Sequence, residues 1–178
     1  MDHPPTGGRS PSRRWPLAVG LVLLLGGGLI LGGLVVAPQL VERLYGDAKI
    51  SVDSTVADAR RVVFDDLPTV ELGNTGGVPQ LDQCDGTFTE MESYERDDVP
   101  PVWAAHNNCS GDAVLSWEPG QHVRIAGDEQ VYEVVDIRIT PKTWATTDDL
   151  VGLGGSFALQ TCFYGRDEMR FVGIEPVS

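Results

Sequence analysis

Hydrophobic positions follow two different regimes along this chain. From Leu17 to Ala37 the sequence reads LAVGLVLLLGGGLILGGLVVA, 21 residues without a charge. As a helix such a run spans roughly 31 Å, enough to cross a hydrocarbon core, and it predicts a transmembrane segment. Residues 38–61 hold helix-compatible stretches such as Gln39-Leu40-Val41-Glu42-Arg43-Leu44-Tyr45, then a mixed polar run through Asp58, Arg60 and Arg61, and read as a stalk. From about Val62 onward the pattern changes to short β-branched runs separated by Gly, Pro, Asn and Asp, which is how all-β domains read. Strands are expected at Thr69 to Leu72, Gly86 to Met91, Val102 to His106, His122 to Ala126, Val131 to Thr140, Ser156 to Cys162 and Met169 to Ile174.

The clearest alternation runs from Val131 to Ile139, where the odd positions are aliphatic and the even ones mostly polar. Period-2 alternation predicts that the odd side chains are buried and the even ones solvated. Turn signals lie at Pro119-Gly120, Gly127-Asp128 and Gly154-Gly155. Seven or more short strands in the space after the stalk imply a closed barrel or sandwich, because closure removes exposed edges.

Charge refines this picture. The chain of 178 residues has 13 basic against 26 acidic residues, a net charge of -13. An anion of this kind repels phosphate backbones, which excludes a nucleic-acid partner. Arg9, Arg13 and Arg14 precede the apolar run, so the N-terminal side is expected in the cytoplasm and the remainder outside. The expected organisation is a cytoplasmic tail (1–16), a transmembrane anchor in the plasma membrane (17–37), an extracytoplasmic stalk (38–61) and a β domain (62–178). A cleaved signal peptide is the competing reading of the apolar run, and Pro38 just after Val35-Val36-Ala37 disfavours it. Gly28 and Gly32 make one GxxxG pair, a spacing common in membrane helices whatever their partners.

Cys84, Cys109 and Cys162 all fall on the outer side, where oxidation is permitted. Cys84 and Cys109 stand in turn-like surroundings, whereas Cys162 ends an apolar strand, so the first two are the expected disulfide and three free thiols the alternative. Closing their loop stabilises a fold by about 3 to 4 kcal/mol on the chain-entropy estimate. Among the histidines, His3 lies in the tail and His122 at a polar strand start, while His106 ends Pro101-Val102-Trp103-Ala104-Ala105. No Cys/His pair has a zinc-ligand spacing, and no metal or other cofactor is expected. The acidic run Glu90, Glu92, Glu95, Asp97 and Asp98 reads as a solvated face, with Ca²⁺ binding as the alternative.

The segment Ser156-Phe157-Ala158-Leu159-Gln160-Thr161-Cys162, followed by Arg170-Phe171-Val172-Gly173-Ile174, resembles the sortases, in which a strand ends in TLxTC and the next begins with an arginine. Trp103-Ala104-Ala105-His106-Asn107 resembles the strand that delivers the sortase histidine. Trp117-Glu118-Pro119-Gly120-Gln121-His122-Val123 resembles the L-x-x-G-D-x-V turn between them. Ala158 departs from the first threonine of the motif and Ala105 from the glycine that commonly precedes the histidine. The resemblance covers residues 63–178 and is closest to the small classes E and F of high-G+C Gram-positive bacteria.

This resemblance implies a closed sortase-type β-barrel of seven to eight strands with short helices, behind one transmembrane helix. It implies a cysteine transpeptidase in which Cys162 attacks a sorting-signal threonine carbonyl, His106 carries the proton and Arg170 supplies fixed positive charge to the substrate oxygen. The implied partners are an LPxTG-like sorting-signal peptide and an amine nucleophile from the cell wall or another protein. Arg166 competes with Arg170 but sits in the turn Gly165-Arg166-Asp167-Glu168. A noncatalytic envelope binding module is the alternative function. Papain-like hydrolases also pair Cys with His, but there the cysteine comes first in the chain.

Overall fold

The computed structural model describes residues 37–64 and 66–178. The expected membrane span at 17–37 falls, but for its last residue, outside the described residues. Among the described residues no helix is long and apolar enough to cross a membrane.

Eight strands form one sheet: β1 (Thr69–Val70), β2 (Leu72–Gly76), β3 (Phe88–Met91), β4 (Val102–Ala104), β5 (His122–Ile125), β6 (Val131–Pro141), β7 (Phe157–Cys162) and β8 (Glu168–Pro176). Their order is β1-β5-β6-β8-β7-β4-β3-β2. The two edge strands are therefore consecutive in the chain, separated by Glu71 alone. The Val70 carbonyl accepts the Ala126 N–H at 2.8 Å, and the Glu71 carbonyl accepts the Phe88 N–H at 2.8 Å. Neighbouring carbonyls thus serve opposite ends of the sheet, which rolls it into a nearly closed barrel and leaves little unpaired edge. Short helical turns connect the strands, as expected for the all-β class.

Alternation along the strands divides the apolar side chains between two clusters. Phe88, Trp117, Val123, Val134, Leu159, Val172 and Ile174 fill the barrel. Val99, Val102, Leu150, Leu153, Ala158 and Phe171 form a second cluster on the outer face, beneath the β6–β7 connection. Leu159 and Val172 belong to the first and their neighbours Ala158 and Phe171 to the second, so β7 and β8 are buried on both faces. This explains why both read as continuous apolar runs. Each large aliphatic side chain so buried contributes about 1.5–3 kcal/mol.

Three expectations need correction. On β6 it is Tyr132, Val134 and Thr140 that are buried, while Val135 and Ile139 are 43% and 52% exposed. A bulge shifts the parity part-way along: pairing passes from Val134↔Ile174 to Asp136↔Gly173, so Val135 has no partner on β8, and the core-facing residues change from Tyr132 and Val134 before it to Ile137 after it. Asp136 then accepts the Gly154 N–H at 3.0 Å and anchors the β6–β7 connection. A second difference is β2, which starts at the last residue of the expected Thr69–Leu72 strand, runs on to Gly76 and pairs in parallel with β3. Third, β4 ends at Ala104 rather than His106, because the chain turns there toward the disulfide.

The region read as a stalk is one helix, α1 (Pro38–Phe64), and it lies against the barrel. Arg43 Nε donates to the Gly165 carbonyl at 2.6 Å, Arg166 pairs with Asp47 at 3.0 Å, and Lys49 pairs with Asp112. Tyr45 meets Tyr164 edge-on with centroids 5.7 Å apart. Gly165 has φ +58, and a Cβ there would collide with the α1 backbone, so glycine both permits the turn and lets α1 approach. Arg166 is accordingly a docking residue for α1.

Candidate active site

Cys162 is the last residue of β7, and its placement follows from the strand beside it. β4 runs parallel to β7 with Ala104 opposite Gln160. The Ala105 N–H extends the ladder by donating to the Gln160 carbonyl at 3.0 Å. Two residues beyond Ala104, past the end of β4, His106 begins the turn that follows, while Cys162 shares the outer face of β7 with Ala158 by strand parity. Beneath them, the Thr161 hydroxyl points inward and donates to the Ala105 carbonyl at 2.9 Å. Gly111 packs where any Cβ would strike the Ala105 and His106 carbonyls and the Thr161 hydroxyl. Glycine at that position lets the following 3₁₀ turn, Gly111–Ser116, close under the site.

Cys162 is a free, half-buried thiol. Burial pushes its pKa up, opposed by the Lys142 charge and by Gln160. Gln160 Nε2 lies 3.9 Å from the sulfur. Lys142 is held over the β7–β8 turn, with its Nζ donating to the Phe163 carbonyl at 3.3 Å and its backbone N–H to the Asp167 carbonyl at 3.1 Å. Tyr94 is also shifted upward, first by burial and then by a possible negative charge on Cys162. The Tyr94 ring packs edge-on against Phe171, 5.8 Å away, and lines a groove of about 440 Å³ shared with Glu90, Arg96, Val99 and Val102.

His106 makes a contact that its sequence position did not suggest. Its Nε2 lies 2.8 Å from Asp82 Oδ1. Asp82 follows the short helix α2 (Val78–Leu81) and stands two residues before Cys84. The Cys84–Cys109 disulfide is present, as expected, and fastens the Asp82 loop to the segment after His106. That linkage was the signal from which Asp82 was legible: pairing the cysteines brings their flanks together.

Arg170 is placed differently from Cys162. On the β7–β8 ladder Arg170 is opposite Thr161, and Cys162 is opposite Met169. Directly opposed residues share a face, so Arg170 points to the barrel side and Cys162 to the outer side. The guanidinium is 8% exposed, donates to the Trp117 carbonyl and approaches Glu118 at 3.6 Å. Burial lowers its pKa and the Glu118 charge partly restores it. Its Nε has no hydrogen-bond partner among the described residues. Cys162 and Arg170 therefore stand on opposite faces of the β7–β8 pair. The cation whose field reaches the sulfur is Lys142.

The acidic run is spoken for in part: Arg96 pairs with Asp98 and Asp148, clasping the β3–β4 connection to the β6–β7 connection, and Glu90 accepts the Thr75 hydroxyl at 2.6 Å. Among the described residues no cluster of three or more His, Cys, Asp or Glu is arranged to hold a metal ion.

No protein-family model matches the chain, and no curated protein matches it in sequence. Solved structures that are similar to it include Streptococcus agalactiae sortase C1, at 14% identity and a TM-score of 0.43, covering 60% of this chain and 61% of that one. Group B Streptococcus pilus island 1 sortase C2 is similar at 17% identity and a TM-score of 0.43, covering 63% of this chain and 67% of that one. A Clostridium perfringens sortase D5 transpeptidase is similar at 15% identity and a TM-score of 0.38, covering 58% and 69%. The chain spans about three fifths of the length of the first of these.

Proposed function

We propose that this protein is a sortase-type cysteine transpeptidase. Cys162 attacks the backbone carbonyl of the threonine in an LPxTG-like sorting signal, and the C–N bond breaks as His106 protonates the leaving amine. The thioacyl enzyme is then resolved by an amine of the cell wall or of another protein, whose proton His106 accepts. One observation supports this reading: the free cysteine ends β7, and β7 runs parallel to β4, the strand from whose end His106 follows two residues on. A cysteine at this position gains little as packing material, being only half-buried.

The motif resemblance assigns Arg170 to the substrate oxygen, and its unpartnered Nε leaves donor capacity for such a role. In the present arrangement its hydrogen bond to Trp117 makes it a brace for the Trp117–Glu118 turn. We further propose export, with residues 17–37 as the membrane anchor and the barrel outside the bilayer. The disulfide favours an oxidising compartment.

The deciding experiment incubates the full chain with an LPxTG-like peptide and looks for the thioacyl adduct by mass spectrometry. The adduct is expected on Cys162 and absent from Cys162→Ala. Normal turnover by Cys162→Ala ends the proposal. The inward-facing Arg170 and the upward-shifted thiol favour a second reading, a noncatalytic envelope binding module. In that case the peptide binds in the groove with no adduct, and Cys162 reacts with alkylating probes no faster than a simple thiol.

A further inference from the structure

The His106 ring is held from two directions. Its own carbonyl accepts the Cys109 N–H at 2.8 Å and the Gly111 N–H at 3.0 Å, which fixes the backbone. Its Nε2 meets Asp82 at 2.8 Å, which fixes the ring. Asp82 is itself set by its backbone N–H, which donates to the Val78 carbonyl at 2.9 Å at the end of α2. The side chains of His106 and Asp82 are 41% and 59% exposed, so as an ion pair they add little stability. Orientation is what remains for the contact to provide.

An ionised carboxylate only accepts hydrogen bonds. Beside Asp82, a neutral His106 must therefore carry its proton on Nε2, leaving the Nδ1 lone pair as the base. We infer that Asp82 is a positioning residue that selects this tautomer and turns His106 Nδ1 toward Cys162, and that the Cys84–Cys109 disulfide keeps Asp82 within reach. The proton leaves Cys162 Sγ for Nδ1, giving a thiolate and an imidazolium whose Nε2–H stays on Asp82. The disulfide serves as a clamp on both flanks: it joins the chain two residues past Asp82 to the chain three residues past His106. This inference deepens the proposed function and rests on it for the direction of proton transfer.

Two readouts on the full chain in detergent test it. The first is imidazole ¹⁵N NMR, which reports the tautomer of His106 directly. Wild type is expected to show Nε2–H. Asp82→Ala is expected to lose that preference, and the isosteric Asp82→Asn to recover part of it, because the amide oxygen still accepts. The second is the rate at which iodoacetamide alkylates Cys162. Asp82→Ala is expected to slow it on the order of tenfold, less than the 10²–10⁴ typical for loss of a base. No further loss is expected when Asp82→Ala is added to His106→Ala, because Asp82 acts only through His106. Cys84→Ser/Cys109→Ser should slow alkylation to a similar extent and add little to Asp82→Ala. Retention of the Nε2–H tautomer in Asp82→Ala, or wild-type alkylation in both Asp82 variants, overturns the inference. If His106→Ala alone leaves alkylation unchanged, it is the functional reading that falls, and the tautomer then judges Asp82: its loss supports the orienting role and its retention overturns it.

Discussion

The two faces of the β7–β8 pair use polar residues in opposite ways. On the barrel side, Thr161 and Arg170 are buried, and each is bonded to a backbone carbonyl, those of Ala105 and Trp117. On the outer side, Cys162 is half-buried and its sulfur accepts one long hydrogen bond, from Gln160 at 3.9 Å. A buried polar group tied to the backbone resists displacement, because breaking its bond strands a carbonyl without water. A loosely held, half-buried thiol can change partners. One position along a strand therefore separates bracing from chemistry.

The sharpest break in this comparison comes from removing the outer group. Cys162→Ala should abolish labelling by thiol probes completely, since the other two cysteines are joined to each other, yet leave the denaturant midpoint nearly unmoved. On the barrel side the expectation reverses. Leu159→Ala should destabilise the fold by about 2–5 kcal/mol, measured as a fall in the midpoint of urea unfolding. If Cys162→Ala were the more destabilising of the two, the outer face would be the structural one.

Arg170 tests the boundary between the faces. Arg170→Met keeps most of the side-chain volume but strands the Trp117 carbonyl, an expected cost of about 1–3 kcal/mol. Alkylation of Cys162 should stay within about twofold, because the guanidinium lies on the other side of the sheet. A stable Arg170→Met protein with a strongly unreactive thiol would show that the side chain crosses to the outer face in solution.

How much of this was legible in the sequence depends on whether local pattern or long-range pairing fixed each feature. β7 and β8 were legible because both faces are apolar, and so was the disulfide, from the turn-like settings of Cys84 and Cys109. The order of His106, Cys162 and Arg170 was readable, but the face each occupies was not: it depends on pairing Thr161 with Arg170, one residue off from pairing Cys162 with it. The β6 alternation misled because a bulge at Val135 is set by the partner strand. β2 was hidden because an edge strand can form from Gly, Asn and Thr when its neighbour supplies the ladder. Lys142 was invisible for a related reason, being brought near the thiol by chain closure, whereas Asp82 could have been read from the pairing of Cys84 with Cys109.

The smallest expected effect concerns the field at the sulfur. Burial raises the folded-state pKa of Cys162, while Lys142 and Gln160 pull it back. Above the unfolded thiol's pKa the unfolded chain releases this proton before the folded one does. The associated stability is therefore complete below that pKa and lost as pH rises through the folded value. Alkylation rate should accordingly rise with pH along a curve displaced to higher pH than that of a small free thiol. Lys142→Met removes the positive charge that opposes the burial shift and should displace the curve further, slowing alkylation at pH 8 by about two- to fivefold. Because Lys142 Nζ is exposed to salt, raising the ionic strength should move wild type toward the variant and leave the variant almost unchanged. Equal salt responses in the two proteins would mean that some charge other than Lys142 sets the thiol's field, and Arg170 would return as the candidate.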